Sequence, residues 1–199
     1  MRKVTGFDSA IKSVKWDCFF KMVDHIGDDL NSKKNRFDKA DILEHSLDLM
    51  TGGKIKWVDE VGWDHEIGKS HPIKLEMKSQ KFCLKTKKGK YKTKVNDIKL
   101  MNSLGSALGR KVSDIRKFDV LLIVDTGNCE SYSVASIDAS QITKRYLDFK
   151  TDGVILKGFP IDKVKFIHEH EYFSSSIIED SSYSVDKRNM QKKFIERFI

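Results

Sequence analysis

A chain of 199 residues, 39% hydrophobic and 33% charged, has enough material for one domain with a real core and reads as a globular protein. No apolar run approaches the roughly 20 residues that a membrane span needs, which leaves the membrane out as a partner. The net charge of +8 turns attention to polyanions instead.

Cys18, Cys83 and Cys129 are widely spaced and odd in number, making neither a disulfide framework nor a zinc pattern. The first residues, Met1 to Gly6, lack the apolar core of a signal peptide, so the expected home is a reducing cytoplasm. The only prolines are Pro72 and Pro160, and no Pro/Gly/Ser linker or internal repeat divides the chain. One domain over residues 1–199 is expected. Its core would run from about 38 to 137, with an N-terminal helix in 1–37 and further elements in 138–199.

Phe7 to Leu30 has helical spacing: Ile11, Val14, Cys18, Met22 and Ile26 recur at intervals of three or four, with Phe19 and Val23 beside them. After the polar break Asn31 to Asn35, a second helix is predicted. Asp38 is its N-cap, Leu43, Leu47 and Met50 line its buried side, and Gly52-Gly53 stops it. Lys54 to Val61, Trp63 to Ile67 and Ile73 to Phe82 read as strands, the last two joined by the turn residues Gly68 to Pro72. Val95 to Leu108 reads as a helix with Ile98, Met101, Leu104 and Leu108 in register. Phe118 to Asp125 is the β-branched apolar run of a central strand, and Thr126-Gly127-Asn128 turns it into another, Ser131 to Ile137. A short helix near Gln141 to Phe149, a strand from Val164 to Ile167 and a helix from Val185 to Ile199, basic on its outer face, follow. The fold class is α/β (α+β), with a central mixed sheet and flanking helices.

The positive charge is concentrated. Residues 85–94 read KTKKGKYKTK, with no acid and six lysines: Lys85, Lys87, Lys88, Lys90, Lys92 and Lys94. Standing alone, such a run is most often a solvated loop. Here it begins seven residues after a group of residues with a chemistry of its own.

That group is Asp64, in Gly62-Trp63-Asp64, and Glu76 and Lys78, in Leu75-Glu76-Met77-Lys78. Strand side chains alternate, so Glu76 and Lys78 share one face while Leu75 and Met77 point to the core. A hairpin through Pro72 brings Asp64 beside them. Two carboxylates at one spot repel, and a hard cation such as Mg²⁺ relieves this while keeping several of its waters. Such an ion polarises a phosphoryl oxygen and lowers the pKa of a bound water. A lysine there positions the attacking water or stabilises charge that builds on the phosphate. These are the groups of a phosphodiesterase.

Asp-x(11)-Glu-x-Lys on a hairpin, after one helix and before a helix–strand unit, resembles the PD-(D/E)xK nuclease superfamily. The order of elements over residues 38–125 is similar to that family's core: a helix, a three-stranded meander, a helix and a further strand. The family's proline before the aspartate is Trp63 here. The resemblance implies a restriction-endonuclease-like core and a metal held by Asp64, Glu76 and the Met77 backbone carbonyl, with Ser79 or Gln80 close by. Some members add an acid from the preceding helix, and Glu44, next to the buried stripe, is the candidate; an ordinary surface glutamate is the equal alternative. Glu66 has the strand parity of Asp64 and ranks below the main three, with Glu60 also near.

Other patterns carry less. His168-Glu169-His170 puts two histidines on one strand face without a third ligand, so an exposed strand is expected. Gly105 and Gly109 lack the lysine and Ser/Thr of a phosphate loop, are expected to allow close helix packing or end a helix, and give no sign of a nucleotide cofactor. Cys129 reads as structural, Trp16 and Trp57 as core or half-buried, and Tyr91 as a turn aromatic or a base-stacking residue.

Within the superfamily, a small chain with no helicase or second domain points to a type II restriction endonuclease. Such an enzyme acts on double-stranded DNA, typically as a homodimer whose two-fold symmetry matches a palindromic site. A repair nickase, a junction resolvase and a non-catalytic DNA-binding module are the alternatives. An RNA-binding or ribosome-associated protein fits the charge but leaves the acid pair unexplained.

Overall fold

Ser13 divides the first predicted helix. Its hydroxyl donates to the Ala10 carbonyl at 2.7 Å, and such local bonding competes with the helical ladder. Two helices result, α1 (Phe7–Lys12) and α2 (Trp16–Ile26), the second starting with the bond from the Phe19 amide to the Lys15 carbonyl. The computed structural model that shows this describes residues 6–26, 36–80, 83–85, 91–94, 103–109, 117–125, 131–150 and 153–171. Helix α3 (Arg36–Thr51) begins two residues before the expected cap and ends where the glycines require. Gly52 and Gly53 take φ of 60° and 79°, and the Gly53 amide reaches back to the Asp48 carbonyl at 3.0 Å, closing the helix in a Schellman-type turn.

Six strands make the main sheet. β1 (Ile55–Glu60), β2 (Trp63–Ile67) and β3 (Ile73–Gln80) form the expected antiparallel meander. β3 then runs parallel to β7 (Val120–Asp125), with Glu76 beside Leu121 and Lys78 beside Ile123. β8 (Ser131–Asp138) and β11 (Lys165–Glu171) complete it antiparallel, giving the order β1-β2-β3-β7-β8-β11. A two-stranded hairpin, β4 (Cys83–Lys85) with β5 (Tyr91–Lys94), carries the ends of the lysine-rich run; Lys87, Lys88 and Lys90 lie outside the described residues.

The sheet buries both faces. On one side Leu75, Met77, Val120, Leu122 and Val124 join Phe19, Phe20, Leu43 and Leu47 from the helices. On the other, Leu121, Ile123, Ala135 and Ile137 meet Leu108, Leu156 and Phe159 from a second sheet of three strands. Each fully buried Leu or Phe contributes about 1.5–3 kcal/mol, so this double core explains why β7 reads as an unbroken apolar run.

That second sheet overturns two predicted helices. Residues 103–109, expected to end a helix, are strand β6 (Ser103–Gly109), while 95–102 lie outside the described residues. Gly105 and Gly109 therefore sit in a strand, Gly109 opposite Val154, and each would cost a helix about 1 kcal/mol relative to alanine. The 141–149 segment is two 3₁₀ turns, Ala139–Gln141 and Lys144–Tyr146, and then β9 (Leu147–Lys150). Asp138 caps the first turn through the Ser140 amide at 2.8 Å, and Tyr146 packs its ring against Phe159. Both β6 and β9 pair with β10 (Gly153–Pro160), a central strand not expected at all. The helix expected over 185–199 lies outside the described residues. No helix among the described residues is long and apolar enough to cross a membrane.

Candidate active site

Asp64, Glu76 and Lys78 lie where β2 parts from β3, with Glu44 within electrostatic reach of Asp64 and Lys78. The β2–β3 ladder pairs Ile67 with Ile73, Glu66 with Lys74 and His65 with Leu75. One step further, that register sets Asp64 opposite Glu76. There the Asp64 carboxylate takes over from the backbone, and the Met77 amide donates to its Oδ2 at 2.7 Å. A strand residue points its N–H and C=O across the same edge, so the Met77 carbonyl opens toward Asp64 as well.

Glu76 and Lys78 lie on the face opposite Leu75 and Met77, as the alternation requires. Leu121 and Ile123 stand beside them on β7, and β6 packs against β3 on that side. The walls around the pair are therefore apolar. The Glu76 side chain is 7% exposed and that of Lys78 29%, and the two form an ion pair. Burial alone would push the Lys78 ammonium down. The carboxylates of Glu76, Asp64 and Glu44 outweigh it and hold Lys78 above its ordinary value. Lys78 is thereby held cationic through neutral pH, which suits charge stabilisation.

Glu44 belongs to this group although it comes from α3. Three bonds fix the helix at this end of the sheet. The Trp57 amide donates to Asp48 Oδ2 at 2.9 Å, the Ile55 amide to Thr51 Oγ1 at 3.0 Å, and the His65 imidazole Nε2–H to the Glu44 carbonyl at 2.8 Å. His65 is fully buried, and burial holds its imidazole below the ordinary value, so the ring is neutral. Burial first, then the charges of Asp64 and Asp41, push the Glu44 carboxyl up to about 8. Lys78 pulls it the other way, as does the nearby Trp57 indole.

Among the described residues no three His, Cys, Asp or Glu side chains stand close enough together to form a ready-made metal cage. Mg²⁺ does not need one, because it is commonly held by one or two carboxylates and its own waters. Asp64, Glu76 and the Met77 carbonyl offer hard oxygens of the kind it takes, and Glu44 lies within electrostatic reach of Asp64. Burial, and after it the Asp64 charge, disfavours the ionised form of Glu44, and a divalent cation bound beside it would favour that form.

Glu66 shares the parity of Asp64 but is engaged elsewhere. The Trp63 indole N–H donates to its Oε1 at 3.3 Å, and the Lys74 ammonium lies 3.7 Å from the Trp63 ring centroid. Glu60 is exposed at the β1–β2 turn. Ser79 follows Lys78 on β3, partly buried on the Met77 face; Gln80 ends the strand. His168 is not on an exposed strand face. Its ring stacks on Trp16 and Phe20 and its Nε2 lies 3.5 Å from Asp17, because β11 is covered by α2. The lysines at 85, 92 and 94 lie on the β4–β5 hairpin that follows β3. Sequence reasoning left Glu44 undecided. Its spacing beside Leu43 and Leu47 was the signal, but only the seating of α3 on the sheet brings it within electrostatic reach of Asp64. Compared with known proteins, the chain matches no family model, no curated protein and no solved structure.

Proposed function

We propose that this chain is a Mg²⁺-dependent DNA endonuclease of the PD-(D/E)xK type, acting as a homodimeric type II restriction enzyme on a short palindromic site. The observation that carries the reading is the convergence of Asp64, Glu76 and Lys78 at one break in the β2–β3 ladder, with Glu44 within electrostatic reach. The arrangement of α3, the β1–β3 meander and β7 parallel to β3 supports the restriction-endonuclease-like core. The departure is β6, which occupies part of the crossover where a helix was expected.

Mg²⁺ held by Asp64, Glu76 and the Met77 carbonyl would supply a water of lowered pKa and neutralise phosphoryl charge. Glu76 holds the Lys78 ammonium at the site, so the cation is in place before charge develops on the phosphate. The Met77 amide holds Asp64 in orientation. The apolar wall of Leu121 and Ile123 keeps the local dielectric low, which strengthens every charge interaction in the site. The basic hairpin after β3 supplies attraction to the DNA backbone.

Incubation with plasmid and Mg²⁺ tests the reading. Discrete fragments are the expected result. A nicked circle would make it a nickase, and a bound but intact plasmid would reduce it to a binding module.

A further inference from the structure

We propose that Lys74 contacts a phosphate of the cleaved strand next to the scissile one and that Trp63 seats it for this. The inference rests on the nuclease reading and adds to it a named substrate contact.

Lys74, Glu76 and Lys78 alternate along β3 and so share one face, with about 6.6 Å between successive members. The two lysines have different partners. Lys78 is held by Glu76, whereas Lys74 forms no ion pair among the described residues and rests 3.7 Å above the Trp63 ring. A ring attracts a cation through its quadrupole and leaves the net charge in place, so Lys74 presents a full positive charge that a carboxylate would cancel. The seat is itself fixed. The Trp63 indole N–H donates to Glu66, the residue paired with Lys74 across the ladder. At the root of the side chain, the Lys74 amide donates to Asp119 Oδ2 at 2.9 Å, and its carbonyl accepts from the Asp119 amide at 2.8 Å.

A DNA strand advances about 3.4 Å per phosphate along the helix axis. With the scissile phosphate beside Glu76, an ammonium rooted about 6.6 Å down the strand meets a phosphate one or two positions away. The contact carries no base information, and its role is to fix the strand's register against the site.

The test is binding of wild type, Lys74→Met and Lys74→Arg to random-sequence duplex, in Ca²⁺ to suppress cutting, across a fourfold range of salt. Each phosphate contact contributes about 0.9 to the slope of log K against log[salt], so over that range wild type should lose about 3.5-fold more affinity per chain than Lys74→Met. Lys74→Arg should keep the wild-type slope. Calorimetric Mg²⁺ affinity of the free protein should not fall in either variant, since Lys74 is not among the ion's ligands. An identical slope in wild type and Lys74→Met overturns the proposal while leaving the nuclease reading intact. A wild-type chain with no salt-dependent DNA affinity overturns both.

Discussion

Replacing Glu44 with glutamine removes a carboxyl that is held up to about 8 against an ordinary value of 4.5. The folded chain keeps a proton there that the unfolded chain gives up. The resulting contribution to stability is fully present below pH 4.5 and is lost as pH rises through about 8. At pH 7 the loss spans 2.5 pH units, which at about 1.4 kcal/mol per unit sets a ceiling near 3.5 kcal/mol. Solvent reaches part of the side chain, and screening brings the expected effect to about 2 kcal/mol. Glutamine cannot ionise and escapes the loss. In metal-free buffer, Glu44→Gln should therefore unfold about 4–8 °C above wild type at pH 7.5 and level with it at pH 4. Thermal unfolding followed by circular dichroism across pH 4–8.5 measures this. Saturating Mg²⁺ should narrow the gap, because wild type gains the larger binding term. A difference between the two proteins that stays constant with pH would refute the reasoning.

Asp64→Asn, Glu76→Gln and Lys78→Ala should each abolish cleavage while retaining the wild-type circular dichroism spectrum; in the first, the asparagine amide keeps an oxygen that can accept from the Met77 N–H. Wild-type cutting by any of the three, or cutting that survives excess EDTA, removes the assignment. Ca²⁺ should support binding with little or no cutting, because its looser coordination suits an in-line attack poorly. Neutralising Lys87, Lys88 and Lys90 together should flatten the salt slope of DNA binding by roughly 2–3 per chain and weaken all sequences alike. Leu122→Ala, at a fully buried position of the central strand, should cost about 2–5 kcal/mol in urea unfolding without changing Mg²⁺ affinity.

The hairpin that carries Asp64, Glu76 and Lys78 could be read from sequence because local signals agree there. Period-two alternation, turn residues between the strands and the apolar run of β7 all specify the same sheet. The helix stop at Gly52-Gly53 was equally local. The second sheet was not readable, because its signals are long-range. Leu104 and Leu108 have helical spacing, and only pairing with β10 some fifty residues later selects a strand. Glu66 shows the same limit at the site: its strand parity is right, but the Trp63 indole takes its carboxylate. Glu44 entered through the packing of α3, which bonds from Asp48, Thr51 and His65 determine and sequence spacing alone does not.

The parallel seam between β3 and β7 has a consequence in time. Asp64, Glu76 and Lys78 precede Val120 in the chain, yet the wall that dries Glu76 and Lys78 is made of Leu121 and Ile123. A chain emerging from the ribosome exposes these acids and the lysine long before it can close that wall, since β7 follows β3 by about forty residues and such non-local pairing forms late. Until then Glu76 and Lys78 lie in water, where their pairing is weak and carries little charge-stabilising power. The buried Glu76–Lys78 pair is thus a property of the completed sheet, present only once β7 has joined β3.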